Sequence, residues 1–520
     1  MVCNPITVPI LPQKQSVRRH FGSHPYFTRR PWNVVQEYIK HFAPRQDDVV
    51  LDPFGGSGVT AIEALVLGRK GIHVDINPLA NFICQQIAVA PIDLFAFQKE
   101  FVEIEESCRW YIENLYSLTD EQIEKESLID WYPKGLSLPK TADANNIEEL
   151  FTKRQLLALS RLYQQILNIE DIVLRDLMRF VFSATLNKCN RTYSTTQGRS
   201  EGRGNSGIMH TYRYWIPKNP VELNVWNEFN QKFKNLLKVK RETNQVIGKK
   251  YEQLKVIPKS ATQLTQVLKN ESVDYIFTDP PYGSHIAYLD LSTMWNAWLG
   301  FEVKDEDKKL EAIEGGDLDK SRDDYARLLQ DSLCEMKEVL KWNGWLSIVF
   351  AHKDISYWHM LIEAAQDAGF EYENTVVQES FQSSRHKRAN PFSVLSGELI
   401  LNFQKKKKCK IIRFNGNIKD GGSFLIEQVG QLLSVRKTGL TTEEIYNQLV
   451  PRLLEQGMLQ SGQKASLPNL NELLNTRFFY DKSSSRWYKS AFEAQKGNKE
   501  IELLNANGQL TLDFHNSTNL

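Results

Sequence analysis

The sequence predicts a doubly wound α/β domain on a mostly parallel sheet, interrupted by a large helical insertion and followed by a smaller winged-helix-like domain. Three observations predict it. Val49-Val50-Leu51 reads as a short buried strand, Phe54 to Gly58 as a Gly-rich turn, Thr60 to Leu67 as a helix and Gly71 to Val74 as a second strand closed by Asp75. The next parallel-strand signal, Val273 to Thr278, runs into Asp279-Pro280-Pro281-Tyr282. Between them lie about 150 residues that a βα connection does not need, much of it with helical periodicity.

Taken in order, a polar leader (1–20) precedes a helix from Pro31 to Phe42, with Pro at its start and Trp32, Val35, Ile39 and Phe42 on one face. The first half of the core spans 21–90. The insertion spans 91–250, with helical patterns at Leu94 to Leu118 and at Thr152 to Asn190, the latter opened by a capping box from Thr152 to Gln155. Arg191 to Gly207 is rich in Gly, Ser, Thr and Arg and reads as a mobile loop, and a basic helix from Pro220 to Thr243 follows. The second half of the core (251–405) holds strand Lys255-Val256-Ile257, strand Val273 to Thr278, helix Tyr325 to Leu340, a turn at Asn343-Gly344, strand Trp345 to Phe350, helix Ile355 to Ala368, and a strand pair at Glu373 to Glu379 and Glu398 to Phe403. Over 410–495, three helical patterns and a hairpin through Ser483-Ser484-Ser485 suggest a winged helix. A tail covers 496–520.

Composition bounds the function. At 520 residues with 41% hydrophobic and 24% charged side chains, the chain is of globular type and holds more than one domain. Its 64 Lys and Arg nearly cancel 63 Asp and Glu, but the charge is segregated: residues 181–250 carry 13 basic against 4 acidic side chains. The 6 cysteines show neither C-x-x-C pairs nor His at ligand spacing, so no metal site or disulfide framework is expected. The first 20 residues lack a secretory apolar stretch and no run is long enough to span a bilayer, so a cytoplasmic protein is expected.

Two motifs carry the chemistry. Asp52-Pro53-Phe54-Gly55-Gly56-Ser57-Gly58-Val59-Thr60 lies between a strand and a helix, where small residues let a ligand approach the backbone. Asp75 ends the next strand, where a carboxylate can accept both ribose hydroxyls of an adenosine-containing cofactor. The loop lacks both G-x-G-x-x-G and Gly-Lys-Ser/Thr, which disfavours nicotinamide and ATP chemistry. The second motif, Asp279-Pro280-Pro281-Tyr282, makes a rigid turn after a strand. It presents the Asp279 carboxylate and the Pro280 carbonyl as acceptors for both protons of an amino group, with Tyr282 as a flat face for a stacked base.

Together these motifs resemble those of the amino-group DNA methyltransferases, with Asp52 to Thr60 as the cofactor motif and Asp279 to Tyr282 as the catalytic one. His24 to Ile39 is similar to the segment that in this family wraps the methionine end of the cofactor, which makes His24 a cofactor residue. The resemblance implies a Rossmann-like methyltransferase sheet, S-adenosylmethionine as cofactor, DNA as partner, and direct transfer to a flipped base without a covalent enzyme–base intermediate. A motif opening with Asp points to adenine N6. The large insertion departs from the family's usual order, because it precedes Ser260-Ala261-Thr262.

Nucleic-acid contacts are expected from Arg191, Arg199, Arg203 and Arg213, interleaved with Tyr193, Tyr212, Tyr214 and Trp215, and from Arg385, Lys387 and Arg388 between the last two core strands. Three readings stay open beside adenine N6: methylation of cytosine N4, methylation of guanosine N2 in tRNA, and a non-catalytic DNA-binding subunit. The C-terminal domain is a docking site in a further reading, for a restriction or defence partner.

Overall fold

The computed structural model describes residues 3–14, 17–195, 204–284, 286–352, 354–378, 398–407, 421–459 and 470–495. Its centre is a seven-stranded sheet: β1 Val49–Asp52, β2 Lys70–Asp75, β3 Leu254–Pro258, β4 Val273–Thr278, β5 Leu340–Phe350, β6 Phe370–Gln378 and β7 Glu398–Lys405. The strands lie in the order β3-β2-β1-β4-β5-β7-β6. All neighbours are parallel as far as β5, and β7 runs antiparallel between β5 and β6. The chain reverses direction across the sheet between β1 and β4, the switch point where doubly wound folds open a ligand crevice beyond the strand ends.

Both faces of the sheet are covered, as nearly continuous apolar strands demand. β4 alternates across it: Tyr275 and Phe277 join the apolar layer of one face, Ile276 that of the other. The first layer holds α1 Trp32–Phe42, α2 Val59–Val66 and α3 Pro78–Ala88. The insertion helices α4 Leu94–Leu115, α5 Lys153–Leu167, α6 Ile172–Leu186 and α7 Val225–Val246 continue that layer outward. The second layer holds α8 Arg322–Val339 and α9 Ile355–Asp367. Beyond it lie α10 Gly421–Val435, α11 Thr442–Glu455, α12 Leu470–Arg477 and the hairpin of β8 Phe479–Asp481 and β9 Arg486–Tyr488. Leu449 and Val450 of α11 share an apolar cluster with Phe370 and Tyr372 of β6, so this C-terminal module packs on the sheet.

Several expectations change. The helical stretch from Thr152 to Asn190 is two helices, because Asp171 caps a new one by accepting from the amides of Val173 and Leu174 at 2.8 and 3.1 Å. The turn expected at Asn343-Gly344 is an irregularity inside β5: Asn343 takes φ 63° and the register against β4 shifts. Helices at Pro78–Ala88, Tyr288–Leu291 and Thr293–Trp298 had no counterpart in the sequence reading. Of the Arg191–Gly207 loop, Tyr193–Ser194 pairs with Asn205–Ser206, while 196–203 lie outside the described residues, as does the tail. Among the described residues, no helix is long and apolar enough to cross a membrane, and no cluster of His, Cys, Asp and Glu could hold a metal ion.

Candidate active site

Two strand ends, far apart in sequence, are stitched together at the switch point. Thr278, the last residue of β4, donates its hydroxyl to Asp52 at 2.8 Å; Thr60 of α2 donates to the other oxygen of the same carboxylate at 2.8 Å, and the Phe54 amide donates at 3.2 Å. Asp52 is buried, and burial pushes its pKa up to about 7 against the pull of these donors. This carboxylate therefore shapes the loop. Gly58 turns the chain into α2 at φ 84°, and a Cβ there would lie 2.5 Å from Cys84 Sγ, so both conformation and space require glycine.

Beyond the stitch opens a cleft of about 780 Å³, lined by Asp52 to Ser57, Val59, Thr60, Asp75, Ser260, Ala261, Asp279, Pro281, Glu311 and the segment Tyr26 to Arg30 without Phe27. Asp75 accepts from the amides of Gly56 (2.7 Å) and Asn77 (2.8 Å), and burial raises it to about 6. It thus fixes the glycine loop and still faces the cavity. Of the residues expected to bind cofactor, Asp52, Pro53, Phe54, Gly55, Gly56, Thr60 and Asp75 line the cleft, and Gly58 serves the turn behind it.

His24, expected to bind cofactor, does not line the cleft. Its ring is buried against α6, with Nε2 2.8 Å from Ser183 Oγ and Nδ1 2.7 Å from the Pro25 carbonyl, and burial lowers its pKa to about 3. Both nitrogens are spent on structure, and the residues that reach the cleft come two to six positions later.

The catalytic candidate Asp279 is engaged on both oxygens. Arg30 Nε donates to Oδ2 at 2.5 Å and Tyr282 OH donates to Oδ1 at 2.6 Å. Arg30 also donates to Tyr282 OH at 2.9 Å and pairs with Glu398 at the start of β7. Burial raises the Asp279 pKa, Arg30 works against that rise, and Glu398 adds to it. The Tyr282 ring lies edge-on to Phe350 with centroids 5.0 Å apart. Pro281 accepts from Tyr325 OH at 2.8 Å, which fixes the Pro-Pro turn to α8. Arg30 was missed from sequence; the consecutive pair Arg29-Arg30, just before a helix that starts on Pro31, was the available signal.

The nucleic-acid candidates are dispersed. Arg191 donates to the Glu149 carbonyl at 2.9 Å and Arg213 pairs with Asp143. Arg199, Arg203, Arg385, Lys387 and Arg388 lie outside the described residues. Two of the interleaved aromatics belong to the core: Tyr193 accepts from the Gly204 amide at 2.7 Å, and Tyr214 donates to the Leu291 carbonyl at 2.7 Å. Tyr212 and Trp215 remain partly exposed.

A switch-point cleft with a glycine loop on one wall and a carboxylate–Pro–Pro turn on the other defines a methyltransferase-type α/β fold. The sequence model of the DNA methylase family matches residues 7–85 and 273–515, more than half of the chain. The protein belongs to this family, the N6/N4 amino-group DNA methyltransferases. It is similar to the Type II methyltransferase M.MvaI of Kocuria varians, 25% identical over 316 residues that make up 56% of this chain and 61% of that one. It is also similar to the Type II methyltransferases M.MjaII of Methanocaldococcus jannaschii (27% over 128 residues; 24% of this chain, 23% of that one) and M.BsoBI of Geobacillus stearothermophilus (31% over 93 residues; 18% and 16%). The match thus spans about three fifths of M.MvaI and less of the others. The family model skips 86–272, so the insertion lies outside the matched residues.

Proposed function

We propose that this protein is an S-adenosylmethionine-dependent DNA methyltransferase that methylates an exocyclic amino nitrogen, adenine N6 in first place, after the base is flipped from duplex DNA. The observation that carries this reading is the Thr278–Asp52 hydrogen bond, which sets Asp279 on the wall of the glycine-loop cleft. The cleft also suits the cofactor's charge. Asp52, Asp75, Asp279 and Glu311 line it against Arg29 and Arg30, an acidic balance that favours a cationic guest. When bound, S-adenosylmethionine supplies an electrophilic methyl group on a sulfonium; in this reading Asp75 accepts from its ribose.

The residues then act as follows. Arg30 and Tyr282 turn off Asp279 as the base enters, and Arg30 keeps Glu398 as its counter-charge. Asp279 and the Pro280 carbonyl accept from the two amino protons, which favours a pyramidal, more nucleophilic nitrogen and stabilises the positive charge that develops on it. After transfer the nitrogen gives one proton to Asp279, a carboxylate that burial makes more basic than an exposed one. Extrusion of the base costs about a few kcal/mol, offset by stacking and by the hydrogen bonds at Asp279.

Labelled methyl transfer to duplex DNA and to tRNA, followed by nucleoside analysis, tests the reading. N6-methyladenine in DNA is expected, and Asp279→Ala abolishes its formation while the cofactor still binds. N4-methylcytosine would move the target within the family. Labelled tRNA with unlabelled DNA, or full activity in Asp279→Ala, would overturn the proposal.

A further inference from the structure

The leader, residues 3–14, runs without regular structure and is bound both to α1 and to β6, the edge strand of the sheet. Apolar burial does not fix it throughout, since Val8 and Leu11 are exposed. Side-chain amides hold its backbone. On β6, Asn374 Nδ2 donates to the Ile6 carbonyl at 2.6 Å, and Gln378 takes both sides of Ile10: its Oε1 accepts from the amide at 3.2 Å and its Nε2 donates to the carbonyl at 2.6 Å. On α1, Asn33 donates to the Leu11 carbonyl at 2.9 Å and accepts from the Gln13 amide at 2.8 Å. Gln378 and Asn33 are buried, where an amide must be satisfied at both its oxygen and its nitrogen. Ile10 to Gln13 therefore tie the end of β6 to the first turn of α1.

Both anchors stand beside the ion pair that governs Asp279. Gln378 lies opposite Glu398 in the register of β6 and β7, and Asn33 follows Arg30 by three residues. The Arg30–Glu398 pair thus joins the same two parts of the fold that the leader joins, one tie charged and the other neutral. Arg30 must leave Asp279 when an amino group arrives, and a half-buried guanidinium can retreat only to a counter-charge that is held in place. We propose that Ile10 to Gln13 form a positioning strap: gripped by Gln378 and Asn33, they keep Glu398 beside Arg30 and so set how readily Arg30 releases Asp279. The inference rests on the role given to Asp279 above and adds what controls access to it. The other titratable groups around Asp279 are fixed without the leader: Tyr282 by its bond to Asp279 itself, Asp52 by Thr278 and Thr60, and Tyr288 by Thr28. Glu398 is the member whose strand end the leader holds.

The test is the pH profile of kcat/KM for methyl transfer to duplex DNA, measured on the full chain. Glu398 raises the Asp279 pKa, so in an enzyme whose Glu398 has come loose Asp279 ionises at lower pH. Gln378→Ala is expected to move the acid limb to lower pH and to lower the plateau roughly 2- to 10-fold, the range of a lost hydrogen bond. In a Glu398→Gln background the same substitution should leave the limb in place, because no charge remains to be misplaced. Asn33→Ala, which cuts the strap at its helix end, is expected to reproduce the shift, and it decides the matter alone should Gln378→Ala not fold. A merely structural role lowers the melting temperature and leaves the limb where it was; that result, or a limb that moves equally with and without Glu398, would overturn the inference. A native protein that transfers no methyl group to DNA, or a fully active Asp279→Ala, would instead remove the reading of the site on which the strap depends.

Discussion

Arg30 sits 2.5 Å from the Asp279 carboxylate and is the largest influence holding its pKa down against burial. Removing that charge lets the pKa rise further, and the carboxylate must be ionised to accept from an amino group. Arg30→Ala therefore moves the acid limb of the pH profile of kcat/KM, which reads the free enzyme, to higher pH, the direction opposite to that of Glu398→Gln, and that profile measures both shifts. Asp52 gives a stability prediction of unusual sign. Its pKa stands near 7 in the fold against about 4 in the unfolded chain, so the unfolded state ionises first and folding loses stability as pH rises between those values. Asp52→Asn narrows the difference in melting temperature between pH 4.5 and pH 7.5 by this contribution, whatever its effect on absolute stability. Much of the site's residue identity was legible because its motifs are local: the Asp52 loop and the Asp279 turn each declare themselves within a few positions. Arg30 was not, because what gives it meaning, Asp279 and Glu398, comes from the far end of the chain.

Elements were legible where one short segment holds its own start and stop signals. β4 is bounded as the sequence predicts, since its apolar run ends at the Pro-Pro turn. The break between α5 and α6 was missed because periodicity carries across Asn168 to Asp171 and only the Asp171 cap marks it. β5 was read too short because Asn343-Gly344 has turn chemistry. The strand runs on through it: Gln404 of β7 donates to the Asn343 carbonyl at 3.0 Å, and pairing with β4 resumes after a shift of register. The glycines flanking α2 allow a controlled comparison. Gly68, after the helix, has φ 75° but nothing within 4 Å of a Cβ, so Gly68→Ala is expected to cost about 1 kcal/mol from backbone conformation alone. Gly58→Ala adds the collision with Cys84 and is expected to cost about 1–3 kcal/mol more. Chemical denaturation measures both, and equal losses would mean that the loop yields without strain.

At the scale of the molecule, the insertion is bound into the chain that follows the catalytic turn. Tyr214 OH donates to the Leu291 carbonyl and accepts from the Met294 amide at 2.9 Å, while Trp295 Nε1 donates to the Ser183 carbonyl at 2.9 Å. Tyr214→Phe strands two buried backbone groups, is expected to cost about 1–3 kcal/mol, and should leave a single unfolding transition by fluorescence and circular dichroism. Sequence could delimit the insertion but not dock it, since docking depends on contacts between helices whose apolar faces look alike in one dimension. The Thr278–Asp52 hydrogen bond closes a loop of 226 residues, and that span has a consequence during synthesis. At roughly 5–20 residues per second, β1 waits about 10 to 45 s before its central neighbour β4 has been made. Until β3 emerges, about 15 residues before β4, the first two strands have only each other as sheet partners, and the insertion helices, which can fold as they emerge, are the surface available to cover α1 and α3. The glycine loop exists on the ribosome long before Asp279 can be set across from it, so the chain acquires its chemistry as one late event, when a single strand adds to the free edge of β1.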